Sequence, residues 1–582
     1  MGSMEQPSTS LDELRQICAL NGPPQAAKEA LLHHVIGDQV RIRPDELAIN
    51  AWDGDLTYAE LDRAAANLAV RLAQAGVQPD VVVPLAFGKS KYMIVAMLAV
   101  LKAGGAFCPL EPGQPPAITA NIIEKVNAKV CLCSMAHLEL LETIAPKQQL
   151  LIVDEKSVKP VEAGTTTIKQ PTGSDAAYVF FTSGSTGVPK GCINVHSAAS
   201  VGFPAQGKAM HFRPGYRVLH RATFCFDSCL LETMVTLVSG GTICIPTELA
   251  FRENPTKAMA DYSVNWALFA PAFLGKVVRS SIPSLQTLIL AVEPMSDYHI
   301  EEWTKQVTLC NAYGLTECTV VSTVNSDVRP RSNPRNIGKP VAVHTWIVDA
   351  NDMNRLAPIG AMGELVLSGP TLGRGYLNDP KQTNEAYRPS PEWMPSEYRA
   401  VDSRVFRTGD LVKYDSDGSI ICLGRKANLS VYNGTPIIAH EMEFYLQTAL
   451  PSVAQFVCEI LEIPGLGETL VAFVDFKTDP LGKMTHISGE DSAKLGQILH
   501  KKIPADLQAV APYPDNCWPA VFVPCWILPK KWSGKPNRVE LRKAGERLTD
   551  AQLAAFRRGW DEKLSFEPQP QQDEPWVLNI AP

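Results

Sequence analysis

Residues Tyr178 to Gly191 read YVFFTSGSTGVPKG, and this stretch decides the fold. Tyr178, Val179, Phe180 and Phe181 have the aromatic and β-branched character of a buried strand. The strand empties into a run of Thr, Ser and Gly that ends at Pro189, Lys190 and Gly191. Ser183, Ser185 and Thr186 offer hydroxyls, Gly184 and Gly187 permit a tight backbone, and Lys190 adds one cation. Many short donors with little side-chain bulk, followed by a positive charge, are what a polyphosphate needs. A flexible surface loop has the same composition, but linkers rarely sit directly behind an apolar strand. The spacing is not that of a Walker A loop, because G-x-x-x-x-G-K-[ST] is missing.

TSGSTGVPKG resembles the phosphate-binding motif of adenylate-forming enzymes: acyl-CoA synthetases, luciferases and the adenylation domains of nonribosomal peptide synthetases. The resemblance implies that Thr182, Ser183, Gly184, Ser185, Thr186 and Gly187 contact ATP and that Lys190 takes a catalytic part. The motif does not choose among the branches of the superfamily.

Chain-wide properties bound the answer. At 582 residues the chain is too long for one core and predicts two or more domains. A hydrophobic fraction of 45% with 20% charged residues is that of an ordinary globular protein. The net charge of −7 argues against a nucleic-acid partner. No apolar run reaches membrane-spanning length; Met93 to Leu101 comes nearest and Lys102 ends it. No signal peptide is read, and Met1-Gly2-Ser3 before Met4 reads as a tag. Cys225 and Cys229 lack nearby His partners at zinc spacing and the fourteen cysteines form no disulfide framework, so most are expected to be small buried residues in a reducing, cytoplasmic compartment.

Taken in order, Leu56 to Leu72 and Tyr92 to Lys102 have helical apolar spacing, and short apolar strands alternate with helices through Leu290. LTYAEL and LKAGGAFCPLEP resemble early structural motifs of the same family. The fold expected is α/β: a large two-lobed N-terminal body with a small β-barrel-like part, plus a mobile α+β C-terminal subdomain. The boundaries expected are 1–35 for tag and lead-in linker, 36–426 for the N-terminal adenylation core, 427–548 for the C-terminal subdomain, and 549–582 for an exit helix and linker.

Ala222 to Pro246 reads as a strand, a break at Phe226-Asp227, a helix, a Gly-Gly turn and a second strand. Asp227 at the helix start is either an N-cap or a carboxylate aimed at a substrate ammonium. Resemblance to the FDxSxxE-like motif of amino-acid-activating domains favours the second, since acyl-CoA synthetases have no amine to bind there. LILAVEP at Leu288 to Pro294 is similar to the family's AGGE segment, with Val292 where a Gly is usual. Asn311 to Glu317, NAYGLTE, is similar to NxYGPTE, with Leu315 replacing Pro. By resemblance Asn311, Ala312, Tyr313 and Gly314 border the nucleotide, Thr316 touches phosphate and Glu317 binds Mg²⁺. The chemistry agrees, because Mg²⁺ prefers one or two carboxylates plus phosphate oxygens; a helix cap with a first-turn acid is the plainer account of Thr316-Glu317.

MGELVLSGPTLGRGY (Met362 to Tyr376) and FRTGDL (Phe406 to Leu411) match the family in place and order. Asp410 is implied to hold the ribose hydroxyls with help from Arg425; a turn Asp and a surface Arg are the bland alternatives. Cys422 stands where the family often carries an aromatic residue near the nucleotide. Lys535 in SGKPNR matches the lone lysine of the family's last motif. The resemblance gives it a catalytic part, neutralising charge on the α-phosphate and the substrate carboxylate. The hinge motif departs from the family pattern: its acid is Ala427, its later Lys is Val431 and its Arg is Pro436, while Gly424, Arg425, Gly434, Ile437, Glu441 and Glu443 remain. Adenylation is therefore expected to be intact, with thioester formation in doubt.

The family's pocket positions fall on Asp227, Ser228, Leu231, Leu268, Ile289, Ala291, Ala312, Val320, Val321 and Lys535. Beyond Asp227 and Lys535 the lining is apolar and offers no partner to a charged terminus. A neutral, bulky amino acid suits it: Leu or Phe, or the N5-acyl-N5-hydroxyornithine of fungal hydroxamate (ferrichrome-type) siderophore synthetases. ATP and Mg²⁺ are the implied cofactors. The implied partners are peptidyl carrier and condensation domains of a parent synthetase, with phosphopantetheine supplied by the carrier, and the excised domain is expected to be a monomer. An acyl- or aryl-CoA ligase, or a nucleotide-binding domain without thioester-forming activity, are the alternatives.

Overall fold

A computed structural model describes residues 9–27, 29–111, 113–160, 167–182, 189–433, 435–450, 453–463, 465–476, 498, 514, 517–525, 528–530, 536–549 and 552–553. The chain forms two compact units, Met1–Thr408 with Val412–Cys422, and Gly409–Leu411 with Leu423–Pro582.

The first unit is built on two sheets. One has seven strands in the order Gly375–Tyr376, Lys190–Val195, Ala176–Thr182, Ala106–Leu110, Val82–Ala86, Val130–Cys133 and Gln149–Ile152. From Ala176–Thr182 onward the pairing is parallel, and Lys190–Val195 joins antiparallel. Val82–Ala86 and Ala106–Leu110 are buried at every position, which is why they read as unbroken apolar runs. The helix Lys91–Lys102 buries all of Met93 to Leu101, so the most apolar stretch of the chain is core. Among the described residues no helix is long and apolar enough to cross a membrane.

The second sheet has fourteen strands, and its centre is the parallel trio Trp266–Phe269, Thr287–Ala291 and Thr308–Tyr313. Alternation divides the trio's side chains. Leu268, Ile289, Cys310 and Ala312 enter one apolar cluster, while Ala267, Phe269, Leu288, Leu290 and Leu309 enter another. The sheet continues through Thr323–Asn325 and Asn336–Pro340 to its far edge at His344–Val348, where a small barrel-like part would have to close. There it stays open: the described strands close no barrel, because a linear strand order retains two edges.

The helix Leu11–Asn21 begins with a capping box between Ser10 and Glu13. Its Ile17 is fully buried in the cluster around Trp346, and the Asn21 side chain bonds both the N–H and the carbonyl of Thr345. Part of the stretch read as a lead-in linker therefore supplies core to the first unit.

The second unit is α+β. Val453–Ile463 and Gly467–Phe476 pair antiparallel, and Val521–Cys525 joins in parallel. Ala439–Ala449 and Arg538–Gly545 are its described helices. A helix expected near Ser492 to Lys502 lies, apart from Ile498, outside the described residues.

Candidate active site

Ligand sites of open α/β sheets lie beyond the carboxyl ends of the parallel strands, and there the expected residues of the first unit collect. Asp227 occupies the turn ahead of a helix whose Leu231–Val235 segment is a π-helix, a form common at functional sites. Glu232 in that segment is fully buried, and its Oε2 accepts the N–H groups of Arg221 and Ala222, each at 2.8 Å. Burial holds the His220 imidazole at about 4, hence neutral, and its Nδ1 lies 2.9 Å from the same oxygen. Lys89 donates to the Ala222 carbonyl at 2.7 Å. The backbone leading to Asp227 is thus fastened by one carboxylate and one ammonium.

Asp227 itself is only part-exposed, and its Oδ2 is sealed from solvent without a hydrogen-bond partner. Burial pushes its carboxyl up to about 6. The nearby Glu317 acts in the same direction, while the Thr316 hydroxyl and the Ser228 N–H act against it. A buried carboxylate with an unused oxygen is costly unless something positive completes it.

Thr316 and Glu317 lie in a 3₁₀ turn after Thr308–Tyr313. Two phenols grip Glu317: Tyr376 donates to its Oε1 at 2.8 Å and Tyr387 to its carbonyl at 3.0 Å. The Gly373 N–H shares that carbonyl at 2.8 Å. Lys190, the cross-strand partner of Thr182, places its Nζ 5.4 Å from the Tyr376 ring centre. Asn194 donates to the Thr316 carbonyl at 3.0 Å, and the fully buried Gln206 donates to the carbonyls of Thr319 and Val321. Gly314 is required where it stands, since a Cβ there would meet the Val320 carbonyl at 1.9 Å. Asn311 is nearly buried and donates to the Asn336 carbonyl at 2.8 Å. Tyr313 pairs with Thr323 at the strand end.

The structure brings Leu231, Leu268, Ile289, Ala312, Val320 and Val321 into one buried cluster, with Ala291 packed against it. Ser228 is part-exposed beside Asp227. Two valines near the strand ends have left-handed backbone, Val292 at φ 77° and Val320 at φ 70°. β-branched residues rarely tolerate this, and such strain gathers at functional sites.

Other expected residues fall elsewhere. Ser183, Gly184, Ser185, Thr186, Gly187 and Lys535 lie outside the described residues. Asp410 and Arg425 belong to the second unit, where the Arg425 Nε lies 2.9 Å from the Asp410 Oδ1. Of the altered hinge positions, Ala427 lies in the 3₁₀ turn Lys426–Asn428, and Val431 and Pro436 are cross-strand partners in a two-stranded ribbon. The reading of sequence gave no role to Tyr376, Tyr387, Glu232, Asn194 or Gln206. Tyr376 closes the GRGY motif, which was the one signal that could have marked it.

The donors suit a metal–nucleotide pair. Among the described residues no group of three or more His, Cys, Asp or Glu side chains could hold a metal. A cation at Glu317 would accordingly take most of its ligands from phosphate and water, the habit of Mg²⁺. The Glu317 Oε2 has no hydrogen-bond partner among the described residues, which leaves it available.

Comparison with known proteins gives the family. The family model for AMP-binding enzyme matches residues 37–377. The chain belongs to the AMP-binding enzymes, the adenylate-forming ligases. Within them its relatives are nonribosomal peptide synthetases of fungi. It is 36% identical over 564 residues to nonribosomal peptide synthetase TES of Alternaria alternata, covering 96% of this chain and 11% of that protein. It is 42% identical over 415 residues to N-benzoylphenylalaninol synthetase apmA of Penicillium brevicompactum, covering 71% of this chain and 17% of that protein. The chain thus spans between about a tenth and a fifth of the length of these relatives. Among solved structures, ATP-bound MatB from Rhodopseudomonas palustris superposes with a TM-score of 0.73 at 20% identity, over 89% of this chain and 99% of that one. Holo-AB3403, a four-domain nonribosomal peptide synthetase bound to AMP and glycine, gives 0.73 at 24% identity, over 91% of this chain and 38% of that one. Both share the adenylate-forming fold.

Proposed function

We propose that this chain activates a neutral, bulky amino acid with ATP, giving an aminoacyl-AMP and pyrophosphate, and hands the acyl group to a phosphopantetheine thiol on a carrier domain. The observation that carries the reading is the unpartnered Oδ2 of Asp227, a buried negative charge that a substrate ammonium would complete. Behind it Leu231, Leu268, Ile289, Ala312, Val320 and Val321 are apolar, and a charged side-chain terminus would be buried there unpaired. Ser228 and Ala291 are small and part-exposed.

In the reaction the substrate carboxylate attacks the α-phosphorus and the bond to pyrophosphate breaks. The protein needs no nucleophile, so positioning and charge stabilisation do the work. Thr182 and Lys190, with Ser183 to Gly187, take the phosphates, and the Thr316 hydroxyl supports the reacting group. Asn311, Ala312, Tyr313 and Gly314 border the base. Asp410, one oxygen held by Arg425, takes the ribose hydroxyls. Lys535 neutralises the developing charge. Glu317 would hold Mg²⁺, which supplies further charge neutralisation at the phosphates. Residues 427–548 act as the mobile subdomain, and the altered hinge slows carrier loading relative to adenylation.

Amino-acid-dependent exchange of labelled pyrophosphate into ATP tests this, with a panel of neutral amino acids that includes N5-acyl-N5-hydroxyornithines and their des-amino analogues. We expect exchange with one or a few bulky neutral amino acids. Asp227→Ala is expected to weaken these far more than the des-amino acids. Silence across the panel, or CoA thioester formation from an acid lacking the α-amine, would replace the reading.

A further inference from the structure

We infer that Tyr376 is a positioning residue that keeps the Lys190 ammonium and the Glu317 carboxylate apart and correctly aimed; this rests on the reading of Glu317 as the metal carboxylate given above. The phenol touches both groups. Its hydroxyl donates to Glu317 Oε1 at 2.8 Å, and its ring carries Lys190 Nζ at 5.4 Å from the centre. Neither Lys190 nor Glu317 has an ion-pair partner among the described residues. A lysine and a glutamate in one small site ordinarily find each other, and a pair so formed would be lost to phosphate and to metal alike. Tyr376 gives each a different neutral partner.

The tyrosine is itself held. It pairs with Cys192 on the strand that Lys190 begins, and its N–H donates to the Thr383 Oγ1 at 2.9 Å. Gly375 before it has φ 143°, and a Cβ there would meet Thr383 Cγ2 at 2.5 Å, so the strand presses directly on the following helix. Tyr387 stacks edge-on with its centre 6.2 Å from the Tyr376 ring and fixes the Glu317 backbone. With Oε1 occupied by the phenol and the carbonyl by Tyr387 and Gly373, the free choice of the Glu317 side chain is reduced to presenting Oε2. Partners of this kind commonly change metal affinity by about 10–100-fold when removed.

The test uses the full chain, the non-hydrolysable α,β-methylene analogue of ATP, and Mn²⁺ observed by electron paramagnetic resonance. Tyr376→Phe keeps the ring and removes the hydroxyl; we expect Mn²⁺ in the ternary complex to bind about 10-fold more weakly, with metal-free analogue binding unchanged. Tyr376→Leu removes both, and we expect metal-free analogue to weaken as well, because Lys190 is released to Glu317. Tyr398→Phe, which loses a hydroxyl bonded to the Cys18 carbonyl at 3.1 Å and given no part in the site, is the control, expected to lower the melting temperature and leave Mn²⁺ affinity within two-fold. Mn²⁺ affinity unchanged in folded Tyr376→Phe, or lost equally in Tyr398→Phe, overturns the inference. Absence of amino-acid-dependent pyrophosphate exchange in the unaltered chain would instead overturn the proposed function, so the two failures are distinguishable.

Discussion

Asp227 is more expensive to the empty protein than any neutral isostere would be. Its carboxyl titrates near 6, against 3.8 for the ordinary group, because burial opposes the charge. Two pKa units amount to roughly 3 kcal/mol at most, and partial exposure reduces this toward 1. The sign follows from the raised value: the penalty is fully present above pH 6 and is relieved as pH falls through 6 toward 4. Asp227→Asn is therefore expected to stabilise the ligand-free chain by about 1–3 kcal/mol at pH 7.5, with the gain gone near pH 4, as read by urea unfolding. Val292 carries a second local strain. Left-handed backbone costs an L-residue about 1–2 kcal/mol, and glycine returns about 0.5–1 of this as lost chain entropy. Since the Val292 side chain is 66% exposed and loses little packing, Val292→Gly is expected to stabilise by about 0.5–1 kcal/mol in the same assay. Its sequence position, where the family has glycine, was legible; the strain was not, because a one-dimensional pattern contains no dihedral.

Elements were legible where their apolar period was strong. The helices around Leu61 and Leu98 and the strand through Val179 are where the spacing puts them. The pocket positions came from the family resemblance instead: Ile289, Ala291 and Ala312 lie on strands whose opposite face is equally buried, so no polar alternation marks them. The anchoring groups were not legible, because Glu232, Gln206 and Tyr387 act on backbone atoms far along the chain. The second unit shows the same thing. Arg538 follows the SGKP sequence and donates to Glu443 at 2.6 Å and to Glu459 at 2.7 Å, while the Cys458 N–H donates to Glu443 at 2.7 Å. Glu443 survives from the hinge motif, so two motifs read separately are joined through one guanidinium. Arg538→Ala would remove the guanidinium that joins two nearly buried carboxylates, while Glu459 keeps Arg542 at 2.6 Å, and a loss of about 3 kcal/mol in the second unit is expected. A change below about 1 kcal/mol in its denaturant midpoint would show the network to be solvated.

At the scale of the whole molecule, buried histidines set the response to acid. Burial holds His33 at about 2, His196 at about 4 and His220 at about 4, all in the first unit. In the unfolded chain each takes a proton near 6.5. Because the native values are lowered, stability present above 6.5 is lost as pH falls from there toward 4. Three groups give about 4 kcal/mol per pH unit once well below 6.5, and the opposing Asp227 leaves about 3. The urea midpoint of the first unit is expected to fall steeply between pH 6.5 and 5, and His33→Leu to flatten the slope by about half. A flat midpoint across that range would mean these rings are hydrated in solution.

The helix Leu11–Asn21 has a practical consequence. Its Ile17 fills the cluster around Trp346, and the Tyr398 hydroxyl bonds the Cys18 and Gly22 carbonyls at its end. Anyone fusing this chain to foreign domains from residue 36 onward would leave behind a plug, and the transplanted body would expose an oily seam to its new neighbours. The cut that travels well lies upstream of Ser10.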